Sequence, residues 1–174
     1  VQTCALPIYF AAFCLHLPYP KLALKGLNKI IPKDLNPENK ERLTSNFEAS
    51  ITYSRQIGNI YTGSLYLGLL SLLEQSQNLK TGDKIGFFSY GSGAVSEIFS
   101  GRLVEGYKDM LRSDRLDIFA QRHNLSVADY EQLFYEEAQL DDTGSTQFNT
   151  YQTGPFRLTE ISEHQRIYKG NQND

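Results

Sequence analysis

The sequence predicts one α/β domain with a mixed sheet packed between helices. Continuously apolar segments at 9–17 and 84–90 have the length of buried strands. Between them, apolar residues recur at helical spacing, and Gly or Pro marks most of the junctions. Alternating strands and helices are typical of the α/β class. A chain of 174 residues is long enough to bury one core of this kind.

Composition argues against two classes of partner. Apolar residues make up 40% of the chain and charged residues 21%, as in ordinary globular domains. The net charge is −3 with both signs interspersed, which does not favour a nucleic-acid-binding surface. The longest apolar run, Leu65–Leu73, is too short to span a bilayer and contains polar and small residues. We therefore expect neither a nucleic-acid nor a membrane partner.

The N-terminal end carries no clear structural signal over residues 1–8, and we treat it as a doubtful end of the domain. The first 15 residues are apolar, but they lack the basic start and the small-residue cleavage site of a signal peptide. The two cysteines, Cys4 and Cys14, do not form a disulfide framework, which favours a cytoplasmic location.

The first strand is predicted at Tyr9–Leu17, where His16 is followed by Pro18 and Pro20. Lys21–Ile31 has apolar residues at near-helical spacing and predicts a short helix ended by Pro32. Residues 32–44 are polar with two prolines, which indicates an exposed connection.

Two further helices are predicted before the next strand. Ser45–Glu48 matches a capping box, which predicts a helix from there to about Gln56, interrupted by Gly58 and Asn59. Thr62 is placed to cap a second helix that runs to about Gln75. That helix is apolar on most sides, as expected of a helix at the centre of a domain.

The second half of the chain predicts two adjacent strands and then a more charged, helical region. The elements expected there are a turn at Thr81–Asp83, a strand at Lys84–Tyr90, a turn at Gly91–Gly93, a strand at Ala94–Phe99, helices within 102–139 with a capping signature at Ser126–Asp129, a loop at 140–154, a final strand at Phe156–Ile161 and a polar tail at 169–174.

His16 is the first candidate for chemistry, because it stands at the end of a strand. An imidazole there can polarise a carbonyl group or move a proton near neutral pH. A core histidine satisfied by a backbone partner is the alternative. Asn59 can donate a hydrogen bond to a developing oxyanion without a change of charge. Asparagine is equally common as a plain turn or capping residue.

The sequence Gly91-Ser92-Gly93 follows a buried strand. Glycines without Cβ atoms let backbone N–H groups approach a ligand oxygen closely, although the same residues also make ordinary turns. The third glycine and the following helix of a dinucleotide-binding fingerprint are lacking. Lys21 and Lys25 lie four residues apart on one helix face, either solvated or positioned to bind the phosphates of a carrier such as coenzyme A.

Cys14 precedes His16 by two residues, so an extended strand would direct both side chains to one side. A reactive Cys–His pair is one interpretation, and a buried, inert thiol is the one that its apolar neighbours favour. His123 and His164 are isolated in polar surroundings, and no metal site is expected.

Three stretches together resemble the C-terminal half of hydroxymethylglutaryl-CoA (HMG-CoA) synthases of the bacterial mevalonate-pathway type. They are HLPYPKLALKGL, RQIGNIYTGSLYLGLLSLL and GDKIGFFSYGSGAVSEIFSG, with weaker support from RLTEISEHQRIY. The resemblance implies a thiolase-like domain over residues 9–168, cytoplasmic and usually dimeric. It also implies acetyl-CoA and acetoacetyl-CoA as substrates, with no separate cofactor.

The resemblance also implies roles for particular residues. His16 and Asn59 match the family's catalytic histidine and asparagine, which polarise the acetoacetyl carbonyl oxygens. The backbone around Ser92, with Gly91 and Gly93, would stabilise the thioester oxyanion, and Lys21 and Lys25 would bind coenzyme A. The family's nucleophilic cysteine and glutamate base belong to its N-terminal half, and neither Cys4 nor Cys14 stands at the nucleophile's position. We therefore expect a truncated product or a piece of a longer protein that is inactive by itself.

Three alternatives stay open at this point. One is a ketoacyl-synthase-type condensing enzyme, which uses the same Cys, His and Asn residue types. The second is a non-catalytic domain that binds coenzyme A or another subunit and carries a vestigial site. The third is a hydrolase built on Cys14 and His16.

Overall fold

The computed structural model describes residues 7–91, 93–148 and 156–170, and the chain divides into two compact units, Val1–Phe119 and Ala120–Asp174. The domain boundaries expected from the sequence, 9 and 168, stay predictions. In chain order the helices are α1 Pro20–Ile30, α2 Pro37–Ile57, α3 Gly63–Gln75, α4 Arg115–Ala120 and α5 Val127–Tyr135, and the strands are β1 Ala12–Leu15, β2 Lys84–Gly91, β3 Val95–Arg102, β4 Thr146–Gln147, β5 Phe156–Ser162 and β6 Gln165–Gly170.

The sheet of the first unit is mixed, as the sequence predicts. Strand β1 pairs with β2 in parallel, with Leu15 opposite Phe88. Strand β2 then pairs with β3 antiparallel, with Phe88 opposite Ile98. Because β2 and β3 are consecutive, the turn between them is a hairpin connection, whereas β1 and β2 are joined by a crossover that contains three helices.

Helices cover both faces of β1, because its side chains alternate between two apolar clusters. Ala12 and Cys14 pack in the cluster that contains Leu65 and Leu72 of α3. Leu15 and, at its edge, Phe13 belong to the cluster that contains α1 and α2. Strand β1 therefore lies between helices, whereas β3, at the edge of the sheet, is largely exposed. The members that α1 and α2 contribute to the second cluster are Ala23, Leu27, Phe47 and Ile51.

Helix α2 begins earlier than the sequence analysis predicts. The connection expected over residues 32–44 ends at Asn36, whose Oδ1 accepts a hydrogen bond of 2.8 Å from the Asn39 N–H, and Pro37 occupies the first helical turn. Ser45, expected to cap the helix, lies inside it and is exposed. Glu48, its expected capping partner, instead pairs with Arg55 at 2.9 Å. Pro37 begins the helix, whereas the sequence analysis interpreted it as part of an exposed connection.

Helix α3 is confirmed over Gly63–Gln75 and carries five buried residues, Ser64, Leu65, Gly68, Ser71 and Leu72. Thr62 stands at its N-cap, but its side chain makes no capping hydrogen bond. The Ser64 hydroxyl instead accepts one from the Ile60 N–H at 3.2 Å. Strand β1 is confirmed too, although at four residues it is shorter than the predicted segment.

The C-terminal region differs from the prediction in three respects. Phe156–Ser162 is not the final strand, because β6 follows it in an antiparallel hairpin. Lys169 and Gly170 belong to β6 rather than to a tail, while residues 171–174 lie outside the described residues. The region 102–139 is only partly helical, and there the predicted Ser126 cap is confirmed by a 3.1 Å hydrogen bond from the Asp129 N–H.

No helix within the described residues is long and apolar enough to cross a membrane.

Candidate active site

His16 and the glycine turn lie at the same end of the sheet. They follow β1 and β2, whose carboxyl ends share an edge because the two strands are parallel. The His16 N–H donates a 2.7 Å hydrogen bond to the Phe88 carbonyl, which extends the pairing one residue beyond β1. The rings of His16 and Tyr90 lie edge to face with centroids 6.4 Å apart. Gly91 follows Tyr90 directly, so the structure brings His16 close to the start of the turn.

A groove of about 760 Å³ opens beside His16, between α1 and the sheet face that carries Phe13, Leu15 and Phe88. Its walls are largely apolar. Ile98, at its β3 wall, is 80% exposed. The lining residues are Phe10, Phe13, Leu15, His16, Pro18, Leu22, Ala23, Lys25, Gly26, Lys29, Ile30, Gly86, Phe87, Phe88, Tyr90, Ile98 and Phe99.

The hydrogen bonding of the His16 imidazole is incomplete among the described residues. Its Nδ1 atom is buried and has no hydrogen-bond partner among the described residues. A buried polar atom left in this way is costly unless a further group pairs with it. The alternative interpretation of His16, a core histidine satisfied by a backbone partner, therefore does not hold for this ring nitrogen.

Asn59 lies in the turn between α2 and α3 and is exposed. Its Oδ1 accepts a 2.8 Å hydrogen bond from the Tyr61 N–H. Because the backbone N–H donates, its partner must be the amide oxygen, and this hydrogen bond fixes the positions of the Asn59 oxygen and nitrogen. The NH₂ group is left as a donor with no partner among the described residues. Asn59 does not line the groove, so its place in one site with His16 stays a prediction.

Two residues that follow Ser92 have positive φ angles. Gly93 has φ +97°, a conformation that glycine adopts without strain, and Ala94 follows with φ +56°. A Cβ atom added at Gly91 or Gly93 would find nothing within 4 Å. Among the described residues, open space therefore borders Gly91 and Gly93. Ser92 lies outside the described residues, and its proposed role is untested.

Helix α1 carries Lys21 and Lys25, as predicted, and both are exposed. Lys25 lines the groove together with Lys29, whereas Lys21 does not. Helix α1 contains no acidic residue, so its lysines have no counter-charge within the helix. Lys29 is not among the lysines predicted from the sequence, although its position four residues after Lys25 places it on the same helix face.

Cys14 is 1% exposed and packs in the core against α3. Burial raises the pKa of its thiol to about 12, so the thiol stays protonated at neutral pH. A protonated thiol is a poor nucleophile, and the interpretation of Cys14 and His16 as a hydrolase pair is wrong. Cys4 lies outside the described residues.

Tyr90 is the other residue that the sequence analysis missed. It is half exposed, lines the groove and faces His16. Its position immediately before the Gly91 turn was the available signal. A second cavity of about 590 Å³ lies at residues 79–81 and 105–109, and no predicted site residue lines it. No group of three or more His, Cys, Asp or Glu suited to a metal occurs in the described part of the chain.

Comparison with known proteins decides the family. The family model for the C-terminal region of hydroxymethylglutaryl-coenzyme A synthase matches residues 21–170. The chain belongs to the HMG-CoA synthase family. An Enterococcus faecalis HMG-CoA synthase is 47% identical over 133 residues, which is 76% of this chain and 34% of that protein. The human mitochondrial HMG-CoA synthase is 31% identical over 157 residues, 81% of this chain and 30% of that protein.

Solved structures support the same family assignment. A crystal structure of an HMG-CoA synthase complexed with CoA is 63% identical, with a TM-score of 0.86 over 98% of this chain and 43% of that one. A Streptococcus mutans protein is 61% identical with a TM-score of 0.82, over 94% of this chain and 44% of that one. The fold is thiolase-like. The chain spans less than half the length of these HMG-CoA synthases and corresponds to their C-terminal part.

Proposed function

We propose that this chain supplies the histidine–asparagine part of an HMG-CoA synthase, which condenses acetyl-CoA with acetoacetyl-CoA to give 3-hydroxy-3-methylglutaryl-CoA in the mevalonate pathway. The single observation that carries the proposal is His16, whose buried Nδ1 lacks a described partner and whose ring lines an apolar groove. The family membership gives this arrangement its chemical meaning. The proposed reaction needs no cofactor besides its two CoA substrates.

In the proposed reaction, an acetyl group is carried as a thioester on a cysteine of the N-terminal half. A glutamate there removes a methyl proton, and the enolate carbon attacks the ketone of acetoacetyl-CoA. A C–C bond forms, the ketone oxygen takes a proton, and water releases the product from the cysteine. His16 and the Asn59 amide would hydrogen-bond the acetoacetyl oxygens, where negative charge develops. Backbone N–H groups at Gly91, Ser92 and Gly93 would bind the thioester oxygen.

The positive charges of α1 fit the other end of such substrates. Lys25 lines the groove and Lys21 precedes it by one helical turn, so both would face the phosphates of a nucleotide-bearing carrier. The charges and the apolar groove together match a ligand with a narrow organic arm and an anionic end. Since Cys14 is buried and protonated, we propose that the chain has no synthase activity by itself.

A chimera tests the proposed function. In the E. faecalis enzyme, the segment that aligns with this chain is replaced by this chain, and consumption of acetoacetyl-CoA is followed in the presence of acetyl-CoA. We expect an active chimera in which His16→Ala lowers kcat/KM by about 10²–10⁴-fold and Asn59→Ala by about 10²–10³-fold. His123→Ala, at an exposed histidine, is the matched control and leaves the rate unchanged.

The same experiment decides between the remaining interpretations. An active chimera that is indifferent to His16→Ala would support a vestigial site in a binding or subunit-interaction domain. The ketoacyl-synthase interpretation is not the family that the comparisons find.

We also propose that the complete protein is a homodimer, as is usual for this superfamily. Sedimentation equilibrium would show a single species of twice the protomer mass. A monomer at micromolar concentration would contradict it. The cytoplasmic location suggested by the cysteine content stays a prediction.

A further inference from the structure

Gly26 lies in the middle of the face that α1 presents to the groove. Five of the six lining residues of this helix, all but the buried Ala23, are spaced three or four apart, the repeat of one helical face. In order they are Leu22, Lys25, Gly26, Lys29 and Ile30. Gly26 therefore lies at the centre of this helical face, where an added side chain would reach the groove and Leu15 on its far side.

Neither backbone conformation nor packing explains a glycine at this position. Gly26 is inside α1 and is not among the residues with positive φ. An added Cβ would meet only one atom within 4 Å, Leu15 Cδ1 at 3.4 Å, which is an ordinary contact distance. Glycine in a helix interior is less stable than alanine. The packing of the described residues therefore gives no reason for the stability that the helix loses at Gly26.

The surroundings of Gly26 indicate what the open space admits. Phe13, Phe88 and Ile98 on the sheet give the opposite wall an apolar surface. Lys25 and Lys29 flank Gly26 on the helix, and neither forms a salt bridge with a described residue. An apolar passage with cations along one wall suits a narrow arm that ends in phosphate groups.

We propose that Gly26 is a specificity-determining residue, which keeps the groove wide enough for the pantetheine arm of a CoA thioester. The inference rests on the proposed function, because that function supplies the occupant. A methyl group at position 26 narrows the passage slightly, whereas a branched side chain fills it. Stability and affinity should therefore respond in opposite directions to Gly26→Ala.

The test measures binding of coenzyme A and of pantetheine, which lacks the nucleotide, to the chain by titration calorimetry or ligand-observed NMR. We expect Gly26→Leu to raise Kd at least tenfold for both ligands. Gly26→Ala is expected to raise Kd a few-fold while increasing the melting temperature. Asn28→Leu places the same side chain on an exposed position of α1 outside the groove and leaves Kd unchanged.

Each outcome has a separate meaning. Equal Kd values for the parent chain and a folded Gly26→Leu variant would overturn the role of Gly26 and leave the proposed function intact. A loss of CoA binding without loss of pantetheine binding would overturn the assignment of the arm to this passage. A parent chain that binds neither ligand would count against the proposed groove, and with it against this inference. Circular dichroism of Gly26→Leu, with Gly26→Ala as the second variant, separates lost affinity from misfolding.

Discussion

Gly86 shows how a single missing side chain shapes the wall of the groove. It pairs with Phe13 across β1 and β2, and a Cβ atom at Gly86 would lie 2.5 Å from two carbons of the Phe13 ring. The Phe13 ring is itself held against Phe10, with ring centroids 4.9 Å apart. An added methyl group therefore cannot be accommodated without moving an aromatic pair.

We predict that Gly86→Ala lowers the free energy of unfolding by about 2 kcal/mol, the usual cost of overpacking. Gly101→Ala is the matched control on β3, because a Cβ there meets only Phe87 Cε2 at 3.6 Å. That control is expected to be neutral or slightly stabilising. Urea unfolding of both variants measures the difference in their free energies of unfolding. Equal midpoints would show that the Phe13 ring moves aside at no cost in stability.

At the scale of elements, the start of α2 shows which of two candidate capping residues is the N-cap. The sequence analysis placed the cap at Ser45, whereas Asn36 caps the helix nine residues earlier. We predict that Asn36→Ala lowers the free energy of unfolding by about 1 kcal/mol. Ser45→Ala should be neutral or slightly stabilising, because alanine is the better residue inside a helix. Thermal unfolding that ranks the two variants in the reverse order would restore the original prediction.

Glu74, on α3, holds together segments that are distant in the chain. Its carboxylate is fully buried, accepts hydrogen bonds from the Tyr53 hydroxyl at 2.6 Å and the Arg112 N–H at 3.0 Å, and pairs with Arg115 at 2.9 Å. Burial alone would raise the pKa of Glu74, but these hydrogen bonds and the nearby Arg115 charge outweigh it and lower the pKa. Burial, together with the hydrogen bond to the Glu74 carboxylate and its negative charge, raises the pKa of Tyr53 to about 12.

The lowered pKa of Glu74 makes the free energy of unfolding depend on pH. Because the pKa of Glu74 is lower in the folded state than its ordinary value of 4.5, the ionised form is favoured by folding. Its contribution is fully present above pH 4.5 and is lost as the pH falls through the folded-state pKa. We predict that Glu74→Gln lowers the free energy of unfolding at pH 7 by about 3 kcal/mol. The difference from the parent chain should shrink toward low pH in urea titrations, and a constant difference would contradict the assignment.

The elements show which features of the fold were predictable. Strand β2, helix α3 and the break at Gly58 are set by local apolar runs and by glycine, so they follow from the sequence. The start of α2 does not, because Asn36-Pro37 is compatible with either a turn or a helix start until the packing of Leu43 and Phe47 is known. The site was only half predictable. His16 and the lysines belong to short motifs, whereas Phe13, Phe88 and Ile98 form one wall only through strand register.

At the scale of the whole molecule, the proposed function makes this chain one side of a site. The groove is open at Ile98 and Tyr90, and the chain spans less than half of the HMG-CoA synthases it matches. In the proposed function the acyl-carrying cysteine approaches from the remainder of the enzyme, while this chain binds and polarises the second substrate. The proposed division would account for the candidate residues His16 and Asn59 in a chain whose described cysteine, Cys14, is buried.

The central claim is that His16 contacts an acyl-CoA substrate. The chain has three histidines, and the other two, His123 and His164, serve as internal controls. We would record ¹⁵N spectra of the imidazole rings while acetoacetyl-CoA is added to the chain. We expect saturable shifts of the His16 ring signals with no change at His123 and His164. A substrate that binds while the His16 signals stay unmoved would contradict it.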